Sequence, residues 1–357
     1  MFPKLRAFKS ALTALILAML GGSAQAQFVS GATPAPERSI RPATLALIIN
    51  DEQPESLEVA EYYRNARGIP AQNLIHVSIP GNSRALSAAD YVSLKKEIER
   101  KLPPDIAAVL FVWTTPYAVE CNALTAAYTL GMEPDLCKRS CNPTPASPLF
   151  DTRSQDLLRD FGLRPSMLLP TQSVEAAKAL IDRGVRSDGA WPRGSAYFLK
   201  TGDPLRNSRA RFFPTSHRLN SHALNLKTIS ADRLDGEQDV LFYFTGLARV
   251  PGLETLKFLP GAVADHLTSV GGDLLGTAQM SSLRWLEAGA TGSYGTVSEP
   301  CNYWQKFPNP AVLLKHYLAG ETLIASYWKS VAWPAQGLFI GEPLAAPYAG
   351  RPAWQQR

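Results

Sequence analysis

The sequence lacks a phosphate-cradling glycine loop ending in Lys-Ser or Lys-Thr, and no Gly-x-Gly-x-x-Gly follows its first apolar run, so nucleotide and dinucleotide binding are disfavoured. It also lacks His-Glu-x-x-His. The five histidines, His76, His217, His222, His266 and His316, are scattered without metal-ligand spacing, and the expectation is no metal and no cofactor. No run of Lys and Arg interleaved with aromatics is present, so nucleic acid is not an expected partner. Past the N-terminal region, no apolar stretch approaches the roughly 20 residues that span a bilayer.

What is present begins at the N-terminus. Lys4, Arg6 and Lys9 precede an uncharged apolar run from Ala11 to Leu20, and Ala24-Gln25-Ala26 follows with the small-x-small pattern of a signal-peptidase site. A run of that length rises only about 15 Å as a helix, half the hydrocarbon core. Residues 1–26 therefore read as a signal peptide cleaved after Ala26, and the protein is expected in the periplasm or secreted, with no transmembrane segment after cleavage. The net charge of +5 shrinks with the same step: three of 36 basic and none of 31 acidic residues lie there, leaving 33 against 31.

The four cysteines, Cys121, Cys137, Cys141 and Cys301, then face an oxidising compartment where disulfides persist. Three pairings are possible. The favoured one joins Cys137 to Cys141 locally and Cys121 to Cys301 over long range. Cys301 is also weighed as a thiol nucleophile, since a helix start after Pro300 or a nearby cation would lower its pKa.

Residues 27–43 are rich in Pro, Ala and Ser and read as a flexible leader. Apolar runs of strand length follow at 44–50, 74–79 and 106–113, separated by helical patterns over 57–67 and 87–102. This alternation predicts an α/β domain over 44–348 with a mostly parallel sheet flanked by helices. Residues 118–165 break the rhythm and read as a cysteine-containing insertion; it resumes with strands at 167–169 and 196–200 around a helix at 174–185. Residues 203–236 look irregular. Strands are expected again at 239–244, 290–297 and 337–340, helices at 311–318 and 323–331, and a tail at 349–357.

The densest polar constellation lies between Thr245 and Cys301. Asp265, His266, Thr268 and Ser269 fall just before Gly271-Gly272, and a neutral imidazole there could deprotonate Ser269 or a water. The competing reading is a helix ending at the glycine pair, with Asp265 and His266 in capping or surface roles. Thr245 and Gly246 end a strand, where open α/β sheets place their sites, and Glu299, held extended before Pro300, is a second candidate carboxylate. The candidate set is His266, Ser269, Asp265 and Cys301 for catalysis, with Thr245, Gly246, Thr268 and Glu299 for binding. Four tryptophans, Trp285, Trp304, Trp328 and Trp333, cluster late in the chain, and packing is their expected use.

The stretch from Phe242 to Tyr348, including LPGAVADHLTSVGG, WLEAGATGSYGTVSEPC and GLFIGEPLAAPY, resembles a group of uncharacterised exported bacterial proteins, as do Tyr62-Tyr63 and Arg67-Gly68-Ile69-Pro70. No activity comes with that resemblance. The order of segments is more distantly similar to the gingipain-type cysteine peptidases, which implies a caspase-like three-layer architecture. The dyad of those enzymes does not carry over: Thr245 stands where the histidine would fall, and Thr268 or Ser269 near the expected cysteine. Three readings follow: a degenerate peptidase-like binding protein, an active peptidase- or amidase-like hydrolase using His266 with Ser269 or Cys301, and a structural cell-envelope component.

Overall fold

Strand β1 (Leu45–Asn50) is apolar almost throughout because it is buried on both faces. The computed structural model describes residues 39–215 and 223–353, which lie within one compact unit spanning 37–357. The signal peptide, the leader up to residue 38, His217, His222 and residues 354–357 of the tail lie outside the described residues. After β1 come α1 (Pro54–Arg67), β2 (Leu74–Val77), the two-residue β3 (Ala85–Leu86), α2 (Ala88–Lys101) and β4 (Ala108–Val112). Gly68, with φ of 65°, closes α1 in the left-handed conformation, and the Ser87 hydroxyl caps α2 by accepting from Asp90 N.

The middle of the chain holds β5 (Ala118–Val119), β6 (Asn122–Ala123), α3 (Leu124–Leu130), α4 (Leu157–Phe161), β7 (Ser166–Leu169), α5 (Val174–Ser187) and β8 (Gly194–Lys200). The last part supplies β9 (Leu224–Ser230), β10 (Val240–Thr245), β11 (Phe258–His266), α6 (Leu283–Ala288), β12 (Gly292–Thr296), α7 (Pro310–Leu318), α8 (Leu323–Trp328) and β13 (Gly337–Gly341).

Ten strands form one sheet in the order β2-β1-β4-β7-β13-β12-β11-β10-β8-β9. The neighbouring strands pair in parallel except β12 with β13, and the loops that follow β4 and β11 meet at one edge, where Tyr117 and Arg84 bond Asp273. The carboxyl ends of β8, β10, β11 and β12 consequently share one edge. The crossovers from β1 to β2 and from β2 to β4 run opposite ways along the sheet, and right-handed connections place α1 and α2 on opposite faces. The chain is thus α/β, a mostly parallel sheet flanked by helices. No helix among the described residues is long and apolar enough to cross a membrane.

Three sequence expectations are corrected. Residues 203–236 are not wholly irregular but contain the edge strand β9, whose polar, one-sided burial hides it. Asp265 and His266 do not sit on a helix; they end strand β11. Within the 118–165 stretch, Leu124–Thr129 of α3 are all buried and Thr125 Oγ1 donates to the Gly337 carbonyl at 2.9 Å. The disulfides join Cys121 to Cys137 and Cys141 to Cys301, leaving no free thiol. Reciprocal bonds between the Asn122 amide and the Glu133 backbone draw 133–137 to Cys121, while Lys306 Nζ holds the Ser140 carbonyl beside the 301–306 segment. The double variant Cys141→Ser/Cys301→Ser is expected to lose about 2–4 kcal/mol of stability. An unchanged urea midpoint would refute that expectation.

Two motifs separated by most of the chain meet at the opposite edge of the sheet. Arg67 donates from Nε (3.0 Å) and Nη2 (2.5 Å) to the fully buried Glu342 carboxylate, and the Tyr63 hydroxyl donates to it at 2.5 Å. Tyr62 donates to Asp182 at 2.8 Å. Those side chains are fully occupied in holding α1, α5 and β13 together.

Candidate functional site

The site is built on the shared carboxyl edge of β8, β10, β11 and β12, where open α/β sheets place ligands. Two backbone approaches shape it. A Cβ on Gly246 would collide with the Arg206 carbonyl, so glycine there lets the loop after β8 lie against the end of β10. Likewise, Gly295 of β12 packs against the backbone of Gly271 and Gly272, which presses the 267–272 loop onto the sheet. Within the GATGSYG segment Gly295 makes this contact, while Gly292 packs against Leu323 and Tyr327.

A cleft of about 330 Å³ opens at that edge. Thr268, Ser269, Glu299 and Cys301, four of the eight sequence candidates, line it together with Leu205, Arg206, Leu267 and Asn302. Arg206 donates from Nη1 to Asp203 at 2.5 Å and from Nε to the Thr268 hydroxyl at 3.2 Å. The Thr268 hydroxyl in turn donates to the Gln279 amide oxygen at 2.7 Å, and that oxygen also accepts from Val270 N. Glu299 Oε1 accepts from Cys301 N at 2.7 Å, while Gln336 Nε2 donates to the Glu299 carbonyl at 2.8 Å. The Ser298 hydroxyl donates to the Cys121 carbonyl at 2.7 Å, so both disulfides converge on this rim.

Thr245, Gly246, Asp265 and His266 lie behind the cleft and are buried. His266 and Asp265 occupy successive positions on β11 and therefore face opposite sides of the sheet. On one side, His266 Nδ1 accepts from Trp285 Nε1 at 2.9 Å and Nε2 lies 3.0 Å from the Met280 carbonyl, which assigns the proton to Nε2. Burial pushes the imidazole down to about 3, so it is neutral. On the other side, the Asp265 carboxylate lies against Arg209 Nη2 and meets no other partner among the described residues. Burial pushes this carboxyl up from its ordinary range against the pull of Arg209. Arg209 also donates from Nη2 to the Thr245 carbonyl at 3.0 Å and the Asp265 carbonyl at 3.3 Å, and its guanidinium sits 5.3 Å from the Phe244 ring centroid.

The structure therefore separates the candidates into two groups. Ser269 reaches the cleft half-buried, and its hydroxyl has no hydrogen-bond partner among the described residues; neither His266 nor Asp265 contacts it. Cys301 is disulfide-bonded, which corrects its reading as a thiol nucleophile. Arg206, Arg209, Leu205 and Asn302 were absent from the sequence candidates. One signal for Arg206 was legible: Gly202-Asp203-Pro204 ends β8 as a turn, and an arginine three residues after Asp203 suits a local ion pair. Trp285 and Trp328 are fully buried, and Trp304 packs on Phe212 at 4.3 Å. Among the described residues, no group of three or more His, Cys, Asp and Glu is placed to hold a metal ion.

No protein-family model matches the chain, and no curated protein matches it. The solved structures that resemble it include two of low identity. One, described as a structure of a protease, is 10% identical with a TM-score of 0.47 over 88% of this chain and 80% of the other. The second, the complex of Porphyromonas gingivalis RgpB pro- and mature domains, is 11% identical with a TM-score of 0.41 over 85% of this chain and 80% of the other.

Proposed function

We propose that the chain is an exported binding protein that takes a small polar ligand in the Arg206–Glu299 cleft and performs no nucleophilic hydrolysis there. One observation carries this reading: the base that a serine or thiol mechanism would need is used up. Both ring nitrogens of His266 are engaged by Trp285 and Met280, and the imidazole is neutral and buried. A serine hydroxyl without a base at hydrogen-bond distance is a weak nucleophile. The tie of Cys301 to Cys141 removes the competing thiol. Export rests on the signal-like N-terminus and on two disulfides, which persist in oxidising compartments.

The test is covalent labelling of the full chain with a fluorophosphonate and with iodoacetamide, alongside hydrolysis assays on peptide and ester pools. The expected result is no label on Ser269, no thiol label without reductant, and no turnover. Turnover abolished by both Ser269→Ala and His266→Ala, in variants that remain folded by circular dichroism, would sink the binding reading in favour of a hydrolase.

A further inference from the structure

The unused hydrogen-bonding capacity of the cleft is asymmetric, and that asymmetry indicates a ligand. Glu299 is exposed, has no ion-pair partner among the described residues, and spends only Oε1 on the Cys301 amide, leaving Oε2 open. It is not a loose surface carboxylate. Its backbone is held by Gln336, its neighbour Ser298 by Cys121, and Cys301 by a disulfide. In the same cleft, Arg206 spends Nη1 on Asp203 and Nε on Thr268, and Nη2 has no partner among the described residues. The Ser269 hydroxyl lines the same cleft and has no hydrogen-bond partner among the described residues. Leu205, at 64% the most exposed large apolar side chain among those described, stands with Leu267 on the wall. A rigid anion, an oriented guanidinium edge with a hydroxyl, and an apolar wall complement a molecule bearing an ammonium, a carboxylate and a short side chain.

We infer that the cleft binds an α-amino zwitterion of amino-acid to dipeptide size, with its ammonium on Glu299 and its carboxylate on Arg206 and Ser269. At about 330 Å³ the volume sits at the small end of ligand sites, which run roughly 300–1,000 Å³. The two ends are unequal. Arg206 is already paired with Asp203, whereas Glu299 makes no ion pair among the described residues and feels the Lys306 ammonium only at longer range, so the ammonium contributes more to binding than the carboxylate. This assignment rests on the binding reading above and specifies its ligand.

The experiment is calorimetric titration of the full chain with Leu-Ala, N-acetyl-Leu-Ala, Leu-Ala amide and free leucine. Leu-Ala or leucine is expected to bind, and whichever is tighter tells peptide ends from free amino acids. N-acetylation is expected to weaken Leu-Ala about tenfold or more and amidation by less than that. Glu299→Gln is expected to erase the penalty for acetylation, and Arg206→Gln the penalty for amidation, each in a folded protein. Equal binding of the free and acetylated dipeptides, or no binding of leucine or Leu-Ala up to about 10 mM, overturns the inference. Mass spectrometry of the titrated dipeptide separates the two conclusions. If bound Leu-Ala is recovered cleaved, the ligand assignment stands and the non-hydrolytic reading falls; if it is recovered intact but without the acetylation penalty, the reverse holds.

Discussion

Arg209→Met is expected to lower the unfolding free energy by about 3–5 kcal/mol at neutral pH, because it strands the Asp265 carboxylate in the interior without its counter-ion. Both side chains are almost fully buried, and Arg209 additionally bonds the Thr245 and Asp265 carbonyls, so three acceptors at the ends of β10 and β11 lose their donor together. The signature that separates this from ordinary cavity formation is its pH dependence. Burial already raises the Asp265 carboxyl, and without Arg209 nothing opposes that shift. A group whose folded pKa exceeds its unfolded value contributes stability at low pH and loses it as pH rises through the folded value. The deficit of Arg209→Met should therefore shrink as pH falls from neutral toward about 4. The double variant Arg209→Met/Asp265→Leu removes both charges and should recover most of the loss at neutral pH. Urea denaturation of the three proteins at two pH values reads all of this. A pH-independent deficit that the double variant does not relieve would show that the pair is not what matters at this strand end.

This pair also marks where sequence reading stopped. Strands β1, β4 and β10 are legible because burial on both faces demands an unbroken apolar run, and LALIIN, AVLFV and VLFYF supply it. Strand β11 is equally buried toward its end, yet FLPGAVADH carries Pro260, Gly261 and two titratable residues. Those residues are compatible with burial only because Arg209 and Trp285 receive them from loops and helices elsewhere in the chain. No local pattern encodes that reception. The edge strand β9 failed for the opposite reason: LNLKTIS needs little apolar character because only part of it is covered.

The candidate site was half legible on the same grounds. Thr268, Ser269, Glu299 and Cys301 do converge on one cleft, since they follow the carboxyl ends of the parallel neighbours β11 and β12 and strand ends gather whatever loops they carry. Sequence proximity misled at Asp265 and His266. Adjacent residues on a strand look in opposite directions, and each is consumed by its own partner. The cysteine pairing misled similarly, because Cys137 and Cys141 lie in successive turns that face Cys121 and Cys301 in place of each other.

The buried imidazole gives the second large effect. His266 is neutral in the folded protein down to about 3, whereas in the unfolded chain it takes up a proton near the ordinary histidine value of about 6.5. Its folded pKa is thus depressed, so its contribution to stability is complete above about 6.5 and is lost as pH falls toward the folded value. The loss runs at about 1.4 kcal/mol per pH unit and reaches roughly 4–5 kcal/mol near pH 3. Other groups titrate in the same window, Asp265 with the opposite sign, so the wild-type curve alone does not isolate the effect. His266→Gln does. A glutamine amide accepts from Trp285 through its oxygen and donates to Met280 through its nitrogen, keeping both bonds without a titrating group. The difference between the two proteins should be flat above about pH 7 and move steadily in favour of the variant as pH falls below about 6. Parallel stability profiles from pH 7 to 4 would mean that His266 is protonated within the fold. That outcome would mean that the imidazole titrates in the fold near its ordinary value, as a general base at neutral pH does, and would reopen the hydrolase reading.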